Sequence, residues 1–182
     1  MAKNAENSTI NLAFMNIKGQ TGLELSKQKQ IEKFIQTYKI DILNCQEINI
    51  VEDSFSQCNT INSSFEIISN NASNKYGTCS FIRSDLSVTN LKLDTNGRAI
   101  IFDINNQTFG NIYLHSGNDQ ASRTSREDYC GKIIPQLLVN QKDSGLIGGD
   151  WNCIVNNIDA TKNQSSKQSP CLKRLIKKFQ LV

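Results

Sequence analysis

The stretch LIGGDWNC, Leu146–Cys153, places an apolar pair, two glycines, an acid and an amide in eight residues. If the segment is a strand, Asp150 and Asn152 sit at i and i+2 and face the same way, presenting a carboxylate beside a carboxamide. The same string also reads as an Asx-type turn following Gly148 and Gly149. What lies at the ends of the other strands decides whether this is a corner or half of a site.

Working outward, INLAFMN (10–16) is a short strand. It is followed by a helix that Ser26 is expected to cap, with Ile31, Phe34, Ile35 and Tyr38 on one face at i, i+3, i+4 and i+7. IDILNCQE (40–47) is apolar through Cys45 and then abruptly polar, the pattern of a buried strand reaching the surface. FEIIS, TCSFI, VTNLKL, AIIFDI and FGNIYL follow as short strands between Asn, Ser, Gly and Asp turns. Residues 122–140 read as a helix with Tyr129, Ile133, Leu137 and Leu138 on one side, and Pro135 should kink or restart it. GLIGG is a further strand, and CLKRLIKKFQLV an amphipathic helix beginning near Pro170 and Cys171. The order β-α-β, a run of strands, α, β, α argues for packed sheets flanked by helices over a doubly wound parallel sheet.

The chain has 182 residues, a length suited to one domain with a real core. No apolar run approaches the roughly 20 residues that span a bilayer, and the polar N-terminus is no secretory signal, so no membrane partner is expected. Six cysteines stand singly without CxxC spacing, which points to reduced thiols in an intracellular protein. Charge is unevenly placed: residues 161–182 hold six basic residues (Lys162, Lys167, Lys173, Arg174, Lys177, Lys178) and no acids, against 14 basic and 17 acidic in the rest. A slightly acidic body with a basic end suits a metal-using site beside a phosphate-facing surface, and equally suits an ordinary solvated helix.

Four strand ends stop at polar residues: Asn16, Glu47, Tyr113, and Asp150 with Asn152. Each has a plain structural explanation, respectively a turn former, a first exposed residue, a half-buried core aromatic and an Asx turn. Together they suit one chemistry. Glu47 and Asp150 are hard oxygen donors for Mg²⁺ or for activating water. Asn16 and Asn152 can hold a phosphate or orient a nucleophile without adding charge, and Tyr113 offers a hydroxyl to charge developing on phosphorus. Zinc-ligand spacing, GxxxxGK[ST] and GxSxG are all missing.

The series FMNIKG, DILNCQE, GRAIIFDI, GNIYL and LIGGDWN, in this order, resembles the endonuclease/exonuclease/phosphatase superfamily, most closely the endonuclease domains of non-LTR (LINE-type) retrotransposons. The resemblance implies a four-layered α/β sandwich, two mixed sheets flanked by helices, over residues 10–182, with residues 1–9 a flexible N-terminus. It also implies Mg²⁺-dependent (or Mn²⁺-dependent) hydrolysis of a phosphodiester that leaves a 3′-hydroxyl. Carried over, Glu47 resembles the metal-binding glutamate with Asn16 beside it, and Tyr113 the tyrosine that steadies the phosphate. Asp150 resembles the water-activating aspartate and Asn152 its companion amide, so Asn152 and Tyr113 are also the expected substrate contacts.

Two departures stand out. His115, the only histidine, comes too early to be the family's catalytic one and reads as a surface or local hydrogen-bonding group. The acidic residue and catalytic histidine of the family's final strands have no counterpart, since the chain reaches FQLV without them. It is therefore expected to be an incomplete domain with weak or no activity alone, because each acid–base group is worth ~10²–10⁴-fold. The implied partners are DNA and a downstream reverse transcriptase domain, with a nuclear location if the target is chromosomal. A phosphatase or abasic-site nuclease of the same superfamily and a non-catalytic remnant are the alternatives.

Overall fold

The computed structural model describes residues 9–21, 24–50, 54–71, 77–142, 144–159 and 167–179. The expectation of a flexible N-terminus over residues 1–9 lies outside this set except for Thr9, and the basic Lys162 also lies outside it.

Two four-stranded sheets form the centre. The first takes the order β1 (Leu12–Thr21), β2 (Ile42–Asn49), β4 (Gly77–Arg83), β3 (Phe65–Asn70), and β1 and β2 run parallel. The second takes β5 (Thr89–Leu93), β6 (Ala99–Ile104), β7 (Gln107–Tyr113), β8 (Gly145–Asp150), and β7 and β8 run parallel. All other pairings are antiparallel. β4 is buried through its first six residues and β6 along its full length, which is why TCSFI and AIIFDI read as near-continuous apolar runs and not as alternating strands.

Three cores separate four layers. Outside the first sheet, α1 (Leu25–Tyr38) sets Ile31 and Ile35 against Leu43, Cys45 and Phe81. Between the sheets, Ile42, Ile68 and Ile82 meet Ile100, Phe102, Ile104 and Phe109. Outside the second sheet, Ala99, Ile101 and Ile112 are covered by Tyr129, Cys130 and Ile134 and by Leu172 and Leu175 of α5 (Pro170–Phe179). Each leucine buried in this way contributes ~1.5–3 kcal/mol. The architecture is the α/β sandwich expected from the sequence. A short α2 (Asn59–Ser64) leads into β3.

Three local expectations are corrected. Glu24, not Ser26, is the N-cap of α1: its carbonyl already accepts the N–H groups of Lys27 (2.9 Å) and Gln28 (3.1 Å), which places Ser26 within the first turn. Tyr38 is 63% exposed at the end of that helix and leans on Phe34, ring centroids 4.9 Å apart, without reaching the core. The single helix read over 122–140 is three pieces: α3 (Gln120–Asp128), a π-helical turn (Tyr129–Ile133) and α4 (Ile134–Leu137). Pro135 has no N–H to donate four residues back, so the turn before it widens and the helix restarts at the proline.

The sheets are also tied by polar contacts. Gln46 Nε2 donates to Asn111 Oδ1 (2.7 Å), and Asn111 Nδ2 donates to the carbonyls of Cys45 and Cys79 (3.0 Å each). Both side chains are buried and partnered, so the contacts fix the register of β2 over β7.

Candidate functional site

The candidate residues gather toward the C-terminal ends of the parallel strands of both sheets. Tyr113 and Asp150 end β7 and β8, whereas Asn16 and Glu47, expected to end their strands, sit within β1 and β2, which run on to Thr21 and Asn49 across irregular backbone. Cys45 and Ile48 both belong to the core under α1 although they are three residues apart, an odd interval for a strand. The register of β2 against β4 shifts between Gln46 and Ile48, and the extra residue is Glu47, held at φ 55°. A β-bulge thus frees Glu47 from the alternation and aims it past the strand end. The left-handed conformation is unfavourable for a glutamate, and such strain gathers at functional sites. β1 carries a matching irregularity between Asn16 and Gln20, with Lys18 at φ 57°.

The two glycines of LIGGDWNC answer different needs. A Cβ on Gly148 would lie 2.6 Å from the ring of Phe14 on the opposing sheet. Gly149 sits at φ +129°, and a Cβ there would lie 2.0 Å from the Ile112 carbonyl oxygen. Their absence of side chains lets β8 approach β1 and delivers Asp150 to Asn16.

Asn16 is the hub. Its Nδ2 donates to Glu47 Oε1 (3.0 Å) and to Asp150 Oδ2 (2.7 Å), so one amide from β1 bridges acids carried by the two sheets. Its oxygen accepts the Lys18 N–H (2.8 Å), which means that Asn16 faces the acids as a donor and not as an oxygen ligand. Tyr113 is buried beside Glu47; burial, then the Glu47 charge, holds its phenol above the ordinary value, with Arg98 opposing. It stays protonated through neutral pH and able to donate.

The expected side-by-side display of Asp150 and Asn152 is not what forms. β8 stops at Asp150, and Asn152 turns back at φ 49°, its N–H on Asp150 Oδ1 (3.1 Å) and its Nδ2 on the Leu114 carbonyl (3.0 Å). The Asx turn wins because the strand runs out of partners, and Asn152 spends its amide nitrogen on fixing Asp150 against the end of β7. His115 lies close by, half-buried, with Nδ1 unpartnered and its carbonyl held by the buried Arg126 (2.8 Å). Burial first, then Arg98 and Arg126, keep its ring below the ordinary value.

Sequence reasoning passed over Arg98. It stacks over the Tyr113 ring at 4.9 Å and donates to the Tyr113 carbonyl (3.2 Å). The signal was the hairpin register: Ala99 pairs with Ile112, which sets residue 98 opposite residue 113. The Gln46–Asn111 link that anchors the residue before Glu47 was also unseen, since an amide in a strand carries no mark of being buried.

Among the described residues no three His, Cys, Asp or Glu side chains converge. The donor set is two carboxylates, Glu47 and Asp150, bridged by a neutral amide. Mg²⁺ is held by one or two carboxylates with waters and substrate phosphates completing its shell, so the set fits that ion.

Compared by sequence, the chain matches no protein-family model and no curated protein. Compared by structure, it is similar to an AP endonuclease from Archaeoglobus fulgidus (TM-score 0.70, 15% identity, 94% of this chain and 70% of that one). It is similar to the 3′ phosphatase NExo from Neisseria bound to a product DNA hairpin (TM-score 0.66, 12% identity, 94% and 70%). It is also similar to Danio rerio TDP2 complexed with a single-strand DNA product (TM-score 0.61, 12% identity, 86% and 66%). The chain thus spans about two thirds of the length of these proteins. Its two mixed sheets flanked by helices are the fold that it shares with these solved structures.

Proposed function

We propose that this chain carries the metal-dependent phosphodiester hydrolase site of a DNA-processing nuclease. The observation behind the reading is the Asn16 bridge, which collects Glu47 and Asp150 from opposite sheets at one solvent-open strand end. Glu47 and Asp150 would hold Mg²⁺, which supplies positive charge to a phosphate and its leaving oxygen when bound. Asp150, oriented by Asn16 and by the Asn152 N–H, is placed to hold a water. Tyr113, its phenol kept protonated, is placed to donate to a phosphate oxygen, and Arg98 backs its ring. Asn152 acts by fixing the Asp150 turn.

The finer proposal is a nicking endonuclease of retrotransposon type, with DNA as substrate and a reverse transcriptase domain in the same polyprotein. The order of FMNIKG, DILNCQE, GNIYL and LIGGDWN supports it, and the DNA products held by two proteins of this fold support DNA as the substrate. The test begins with binding: Mn²⁺ titrated into the chain should lose its free-ion EPR signal, and Glu47→Gln with Asp150→Asn should abolish that loss. Supercoiled plasmid, incubated with the chain embedded in its full polyprotein, should be nicked with Mg²⁺ or Mn²⁺ and not with EDTA. Metal-independent nicking, or undiminished nicking by Asp150→Asn, would sink the mechanism.

A further inference from the structure

The last helix carries a charge pattern that the hydrolytic site does not use. Lys173, Arg174, Lys177 and Lys178 are exposed along one side of α5, while Leu172 and Leu175 are buried on the other side against the second sheet. Among the described residues no ion pair involves any of the four. Arg174 donates to Cys171 Sγ, and Glu127, which accepts the Cys171 N–H (2.9 Å), faces the start of the helix. On the opposite outer layer, α1 instead mixes its charges, with Lys27, Lys29 and Lys33 beside Glu32 and behind the cap residue Glu24.

An isolated helix gains little from such a row. Lys173 with Lys177 and Arg174 with Lys178 are like charges four residues apart, and each pair destabilises the helix. The helix dipole rewards Lys177 and Lys178 in the last turn and gives nothing to Lys173 and Arg174 in the first half. A bound polyanion relieves that repulsion. A bilayer is a poor match, because the apolar side of α5 is already spent on the core.

The row also starts beside the candidate site. The Ile154 N–H donates to the Lys167 carbonyl and the Ser169 N–H to the Ile154 carbonyl (3.0 Å each), and Ser169 Oγ accepts the Leu172 N–H (3.0 Å) as the helix begins. Ile154 follows Asp150 by four residues, a reach of at most ~14 Å. We propose that this face of α5 docks the phosphate backbone of DNA to one side of the cut, a reading that rests on the nuclease function proposed above. From Lys173 to Lys178 the helix rises ~8 Å. Each DNA strand carries a phosphate every ~3.4 Å of its axis, so the four cations meet about two to four phosphates.

Anisotropy of a labelled DNA duplex, titrated with the intact chain in EDTA so that nothing is cut, tests the surface apart from the metal site. Lys173→Gln, Arg174→Gln, Lys177→Gln and Lys178→Gln, combined, should flatten the plot of log affinity against log salt by ~2–4. Raising NaCl from ~50 to ~200 mM should then cost the unaltered chain ~10–10²-fold more affinity than the variant. All four side chains are exposed, so the variant should keep its fold, which circular dichroism checks. Lys27→Gln, Lys29→Gln and Lys33→Gln on α1 should leave the slope unchanged. Glu47→Gln with Asp150→Asn should lose Mn²⁺ and keep the slope, whereas the α5 variant should keep Mn²⁺ and lose the slope, so the two proposals fail separately. Equal slopes for the unaltered chain and the α5 variant, an equal flattening by the α1 variant, or binding to anionic phospholipid vesicles without binding to DNA would overturn the docking surface.

Discussion

Substituting Gly148 by alanine tests whether the approach of β8 to β1 is set by the missing side chain. The added Cβ would meet three Phe14 ring atoms at 2.6, 2.7 and 2.9 Å. Carbon–carbon contact is comfortable near 3.5–4.0 Å, so the ring must retreat by about 1 Å. Phe14 is only half-buried and its ring is the far end of a flexible side chain, so it can yield. The cost is that of a strained rotamer plus lost contact, ~1–2 kcal/mol. Gly149→Ala has no such escape: its Cβ would strike the Ile112 carbonyl oxygen and its φ is +129°. Backbone strain and disturbed β7–β8 pairing should then bring the loss to ~3 kcal/mol or more. Denaturation in urea, monitored by circular dichroism, measures both, and Phe14→Leu should remove at least half of the Gly148→Ala penalty, a coupling of ~1 kcal/mol. Equal costs for the two glycines, or no relief from Phe14→Leu, would refute the assignment.

Glu47→Asn should raise stability by ~0.5–1.5 kcal/mol, because asparagine tolerates φ 55° and a carboxylate leaves the neighbourhood of Asp150, while Mn²⁺ binding disappears. A thermal melt and the EPR titration read the two effects; a lower melting temperature contradicts the strain. Asn16→Asp replaces the bridging donor with a third carboxylate and should cost ~2–3 kcal/mol at neutral pH. That loss should shrink as acid protonates the cluster and be offset by millimolar Mg²⁺; a pH-independent loss would point to packing. His115 in the fold sits below its usual value of about 6.5, so the unfolded chain takes up the proton first. Its contribution is present above about pH 6.5 and is lost as pH falls toward the lowered folded value. His115→Gln should therefore flatten the drop in melting temperature between pH 7 and about pH 5, and an unchanged slope would place the acid sensitivity elsewhere.

Much of this was legible in the chain. Strand and helix periods, the buried runs of β4 and β6, and polar residues at the ends of apolar strands all follow from local patterning. The restart at Pro135 was readable too, because a missing N–H is a local fact. Less legible was anything that depended on a partner from the other sheet. Asn16 reads as a turn former until Asp150, 134 residues away, arrives beside it. Arg98 reads as a loop cation until the hairpin register sets it against Tyr113.

The sequence by itself determined the layers, the order of the elements and the ends of β7 and β8 at Tyr113 and Asp150, because alternation and apolar runs are properties of neighbouring residues. Only the tertiary structure decided how those ends are used. The bulge at Glu47 exists because Cys45 and Ile48 must both reach the core under α1. The turn at Asn152 exists because β8 ends against Leu114. Each is a compromise between segments distant in the chain, and the energy that settles it belongs to neither segment alone.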